Sequence, residues 1–169
     1  MRIENSTLAD VDTIFKLYDE GTHYQKSVAK KHWQGFERSL VENEIKEKRQ
    51  WKIIADEQVV CVFAIAFNDP LIWKEKDNDP AVYIHRIATN PLFRGNSYVK
   101  HIITWAKEYA RNINKDFIRM DTGSGNERLN NYYISCGFTY LGITTLGDSD
   151  GLPAHYRGGS SSLFEIRLK

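Results

Sequence analysis

Residues 81–103, AVYIHRIATNPLFRGNSYVKHII, constrain this chain more than any other stretch. They open as a β-rich run, expected to form a strand over Ala81 to Thr89, which Asn90-Pro91 closes. A short turn with Gly95 and Asn96 follows, and then Val99, Ile102, Ile103, Ala106 and Ala110 recur at helical spacing. A strand that feeds through a tight turn into a helix brings free backbone N–H groups and the positive end of a helix dipole to one place. Such a place suits a phosphate. Arg94, Gly95, Asn96, Ser97, Tyr98 and Val99 occupy it.

The rest of the chain supplies partners for that unit. Residues 2–5 read as a short first strand. Thr7 and Asp10 form a T-x-x-D cap ahead of Leu8, Val11, Ile14, Phe15 and Tyr18, which predicts a first helix ending near Gly21. A second helical region is expected over residues 27–48, with a break near Gly35. Residues 51–56 and 59–67 read as a hairpin, and the polar residues 74–80 as a loop. Further on come a strand at 116–121, a helix at 127–135 and two strands at 139–145 and 162–168. Two strands each followed by a helix, inside an otherwise hairpin-built set, imply a mixed α/β sheet. We expect one domain, residues 1–169, with a mostly antiparallel sheet of about seven strands flanked by about four helices.

Composition narrows the partners. Lys and Arg number 23 against 22 Asp and Glu, so no broad positive field exists to hold nucleic acid. The longest apolar run, residues 59–67, falls well short of the roughly 18 needed to span a bilayer. The start MRIEN lacks a signal-peptide apolar segment, and a cytoplasmic protein is the expectation. Cys61 and Cys136 lie in apolar patterns without a CxxC partner and read as reduced core residues. The five histidines show no H-x-x-x-H spacing, so no metal site is expected.

A second motif lies downstream. Leu129, Tyr132, Tyr133 and Cys136 stand at i, i+3, i+4 and i+7 and share a helix face, with Gly137 placed as the helix stop and Phe138 after it. Asn126 leads the segment.

Together the two motifs resemble those of the GNAT acyltransferase superfamily. There the phosphate turn is commonly written Arg/Gln-x-x-Gly-x-Gly/Ala, and the later helix reads N-x-x-[apolar]-x-x-[apolar]-Y-x-x-x-G-F. The element order agrees over essentially the whole chain. The match to the turn is partial, because Ser97 and Val99 hold its two final small positions. The resemblance implies an acetyl-CoA-dependent N-acyltransferase acting on a primary amine by direct transfer in a ternary complex. It assigns Ile87, Ala88 and Thr89 to the strand that supplies oxyanion and pantetheine contacts, residues 94–99 and Asn126 to the CoA site, and Tyr133 to protonation of the departing thiolate.

An attacking amine must be neutral, and His85, two residues before Ile87, is the expected base. Tyr24, Trp73, His155 and Tyr156 are weaker candidates for the border of the acceptor pocket. The partner is then a small-molecule or peptide amine, with neither nucleic acid nor membrane, and a homodimer is left open. The competing reading is a CoA-binding module with little or no catalysis, which Ser97 and Val99 favour.

Overall fold

The computed structural model describes residues 1–28, 32–147, 152 and 158–169. Their strands are β1 (Arg2–Asn5), β2 (Gln50–Ala55), β3 (Gln58–Ala66), β4 (Ala81–Thr89), β5 (Phe117–Gly123), β6 (Thr139–Thr145) and β7 (Ser160–Arg167). They lie in the order β1-β2-β3-β4-β5-β7-β6. β4 pairs β5 in parallel, through Ala81, Val82 and Tyr83 against Phe117, Ile118 and Arg119. β1 with β2, β2 with β3, β5 with β7, and β6 with β7 are antiparallel. The α-helices are α1 (Val11–Val28), α2 (Arg38–Lys46), α3 (Pro70–Trp73), α4 (Tyr98–Asn112) and α5 (Glu127–Ser135). None of the described helices is long and apolar enough to cross a membrane.

The mixed, mostly antiparallel sheet of seven strands is as expected, but the helices differ from their sequence reading. The first helix does not end near Gly21; it runs on to Val28. Gly21 lies inside it because Trp33 packs there: a Cβ would meet the indole Cζ3 at 3.0 Å. The second does not span residues 27–48; it begins at Arg38, beyond Gly35, whose φ is +102°. The segment read as polar loop, residues 74–80, holds a 3-10 turn, Lys74–Asn78, and α3 stands just before it. The hairpin turn falls one residue earlier than read, on Asp56 and Glu57, both at positive φ (50° and 59°), as a two-residue type I′ turn requires.

The chain divides into two compact units. The first comprises Met1–Ile65 and His85–Tyr98. Ile14, Leu17 and Tyr18 of α1 pack with Val41 of α2, Val62 of β3 and Ala88 of β4, and Trp33 and Phe36 close over Tyr18. Each such large side chain contributes about 1.5–3 kcal/mol by burial. The second comprises Ala66–Ile84 and Val99–Lys169. Its core joins Ile72 and Trp73 of α3 to Ala81 and Tyr83 of β4, Leu163 of β7, Leu146 and Leu152.

Candidate active site

In the first unit, the last five residues of β4 carry a distortion. Arg86 has φ +50° although it lies within a strand. A left-handed conformation costs a residue with a side chain about 1–3 kcal/mol. What holds it is buried polar chemistry. The Arg86 guanidinium donates to both carboxylate oxygens of Glu44 and, through Nε, to Tyr18 Oη at 3.2 Å. It also lies 5.3 Å from the Phe36 ring centre. Burial works against the charge, but Tyr18 and Glu44 outweigh it and hold the Arg86 pKa above its ordinary value. Ile87, Ala88 and Thr89, which the family resemblance assigned to oxyanion and pantetheine contacts, follow this irregularity.

His85 precedes it and is half-buried. Burial, with the charges of Arg86 and Arg49, pushes its imidazole down to about 3. Thr89 Oγ1 donates to Cys61 Sγ at 3.6 Å, and burial pushes that thiol up to about 12, so Cys61 stays protonated and inert.

The turn itself is built from local bonds. Asn90 caps a 3-10 turn, Pro91–Phe93, by accepting from Leu92 N–H at 3.1 Å. Asn96 Nδ2 reaches back to the Phe93 carbonyl at 2.7 Å. Gly95 (φ +91°) and Ser97 (φ +53°) then turn the chain into the first residue of α4, Tyr98. Alternation of left-handed with right-handed or extended residues makes the concave N–H arrangement that binds anions, and the opening N–H groups of α4 add to it. Ser97 thus occupies a position whose backbone favours glycine, and it keeps that backbone. Val99, in the first turn of α4, is half-buried. Tyr24 lies beside this turn: the exposed Arg94 guanidinium stacks 4.2 Å from its ring centre.

In the second unit, Asn126 caps α5, its side-chain oxygen accepting from Leu129 N–H at 3.1 Å. Gly137, at φ +111°, ends the helix and donates to the Ile134 carbonyl. Tyr133 is buried at 9% exposure, with its ring edge-on to Phe164 and Phe138. Burial first, then Tyr132 and Cys136, raise its pKa above the usual phenol value, so it holds its proton at any working pH. Trp73 is a core residue, 2% exposed, with the Arg119 guanidinium 4.7 Å over its ring. His155 and Tyr156 lie outside the described residues.

One group in this unit escaped the sequence reading. Asp69, at the start of α3, has its carboxyl pushed up to about 8 by burial and by the charges of Asp121 and Asp77. Asp77 is itself engaged, accepting from Tyr83 Oη and from the Asp69 backbone N–H, both at 2.6 Å. Asp121 accepts from Ser161 Oγ at 2.6 Å. In the sequence Asp69 stands just past the run at 59–67 and belongs to no motif. Its partner charges stand eight and fifty-two positions away, and no local pattern links them.

Residues 11–138 match the acetyltransferase (GNAT) family. The chain belongs to that family. An uncharacterized N-acetyltransferase of Bacillus subtilis (strain 168), YesJ, is 20% identical over 165 residues, covering 86% of this chain and 92% of the relative. An acetyltransferase of the GNAT family from Listeria monocytogenes 4b F2365 superposes with a TM-score of 0.77 at 22% identity, covering 99% of this chain and 94% of that one. The structure of yncA from Salmonella typhimurium with its cofactor acetyl-CoA gives a TM-score of 0.70 at 13% identity, covering 100% and 94%. The protein is therefore a GNAT-type N-acetyltransferase, with the fold and element order of that family.

Proposed function

We propose that this N-acetyltransferase takes acetyl-CoA as donor and passes the acetyl group directly to a primary amine in a ternary complex. The observation that carries this reading is the succession of the β4 distortion at Arg86, the turn with positive φ at Gly95 and Ser97, and the start of α4. The turn N–H groups of residues 94–99 hold the pyrophosphate, with Arg94 poised by Tyr24 and Asn126 contributing from the cap of α5. Backbone N–H groups of Ile87, Ala88 and Thr89 receive the oxygen that turns anionic as the amine nitrogen adds to the acetyl carbon. Tyr133 donates a hydrogen bond to the sulfur as the C–S bond breaks, and the thiolate takes up the proton that the amine nitrogen loses. With a pKa above that of a thiol it is a donor that never ionises prematurely. A thermal shift with acetyl-CoA, alongside CoA-thiol release with a mixed amine panel, tests the reading. Binding without release in the presence of any amine would support the non-catalytic module instead.

The ammonium proton needs an acceptor, and two groups compete for it. His85, at about 3, is neutral throughout the assay range but too weak a base to strip a proton from an alkylamine near 10.4. Asp69, at about 8, is the better match in pKa, and the test takes it as the base. The rate should then rise as pH climbs through about 8. Asp69→Asn should abolish that limb and His85→Gln should leave it in place. The opposite pattern returns the role to His85.

A further inference from the structure

Among the described residues, Arg86 alone combines a side chain, a positive φ and a place inside a strand. Glycine would adopt that backbone freely, so the arginine needs a reason. Its side chain supplies one. Glu44 of α2 is 3% exposed and accepts from Arg86 through both oxygens and from Gln50 Nε2 at 3.2 Å. Gln50 in turn donates to Tyr18 Oη at 2.9 Å, the same oxygen that accepts from Arg86 Nε. One guanidinium is thus fixed to α1 by Tyr18, to α2 by Glu44 and, through Gln50, to the start of β2, with Phe36 against its face. A buried ion pair adds little net stability over a well-packed apolar pair, and its best-attested use is to fix one geometry among several.

We propose that the Arg86–Glu44 pair is a positioning device for acyl transfer. It clamps the left-handed turn of β4 so that the N–H groups just after it stay aimed at the acetyl oxygen. The inference rests on the reading of Ile87, Ala88 and Thr89 given above. Neither residue touches the reacting atoms in this account; both act through the backbone that Arg86 distorts. A preorganised donor matters more to the transition state than to the ground state. Loosening the clamp should therefore reach kcat while sparing donor affinity.

The test uses the full chain with Arg86→Gly/Glu44→Gln, which keeps the backbone conformation accessible, leaves no buried charge unpaired and removes the clamp. Arg86→Gly alone, in which Arg49 still stands 3.7 Å from the Glu44 carboxylate, is the second variant should the double one fold poorly. At saturating acetyl-CoA and the best amine of a mixed panel, kcat should fall about 10- to 100-fold while the Kd for acetyl-CoA stays within about 3-fold. With isotope-labelled acetyl-CoA, the bound thioester carbonyl stretch should be downshifted in the wild type and less so in the variant. A folded variant with wild-type kcat and carbonyl shift overturns the inference. So does a loss confined to acetyl-CoA affinity, which would make the pair a scaffold for the turn. A wild type that neither binds acetyl-CoA nor releases CoA brings down the acyltransferase reading itself, an outcome visible before any variant is made.

Discussion

Arg119 offers the sharpest test of how the second unit is held. The guanidinium, 1% exposed, donates to Asp79 at 2.6 Å, to Glu165 at 2.8 Å, to the Lys76 carbonyl at 2.7 Å and to Tyr83 Oη at 3.3 Å. Trp73 and Phe117 lie 4.7 and 4.6 Å from its centre. Arg119→Met keeps much of the packing volume but leaves Glu165 and a main-chain carbonyl without their donor. Removing one partner of a buried pair costs about 3–5 kcal/mol. Asp79, on the wetter side at 44% side-chain exposure, adds little, because water takes over its solvation. For a chain of this length each kcal/mol moves Tm by about 2–4 °C, so the expected drop is about 6–20 °C. Calorimetry at pH 7 measures it. The added substitution Glu165→Leu should restore at least half of the loss, since an apolar pair replaces an orphaned carboxylate. A fall of under 2 °C, or a double variant no better than the single, would refute the account of Arg119 as the fastening of the Lys74–Asn78 turn to β5 and β7.

Three smaller changes probe other links. Tyr133→Phe removes one hydroxyl from a ring packed on Phe138 and Phe164; turnover should fall about 10²-fold with acetyl-CoA affinity unchanged, and unaltered turnover in steady-state assays would make Tyr133 a core residue only. Ser97→Gly relieves a φ of +53° at the cost of a more flexible unfolded chain, a net gain of about 0.5–1 kcal/mol read from urea midpoints at constant m; a loss would mean that the hydroxyl does more than the backbone needs. Gly21→Ala adds a good helix former inside α1, yet the new methyl meets Trp33 at 3.0 Å. The variant should lose about 1 kcal/mol, and a more stable one would show that the indole shifts freely.

Much of the fold was legible because its signals are local. The strand Ala81–Thr89, the helix Glu127–Ser135 and the strand Thr139–Thr145 fall where periodicity and turn residues put them. What was not legible depended on residues far apart in sequence. Gly21 looked like a helix stop, since glycine ends helices more often than it makes room for a distant indole. The family resemblance pointed to Ile87, Ala88 and Thr89, but not to Arg86. Nothing in IHRIAT marks an arginine as left-handed until Glu44 and Tyr18 are seen around it. Asp69 makes the same point chemically, because a carboxyl beside a proline is ordinary until burial, with the charges of Asp121 and Asp77, raises its pKa. The motifs of this chain therefore report local backbone geometry. The side chains around it, Arg86 and Asp69 among them, are set by packing from distant residues, and that is where substitutions will discriminate between the readings.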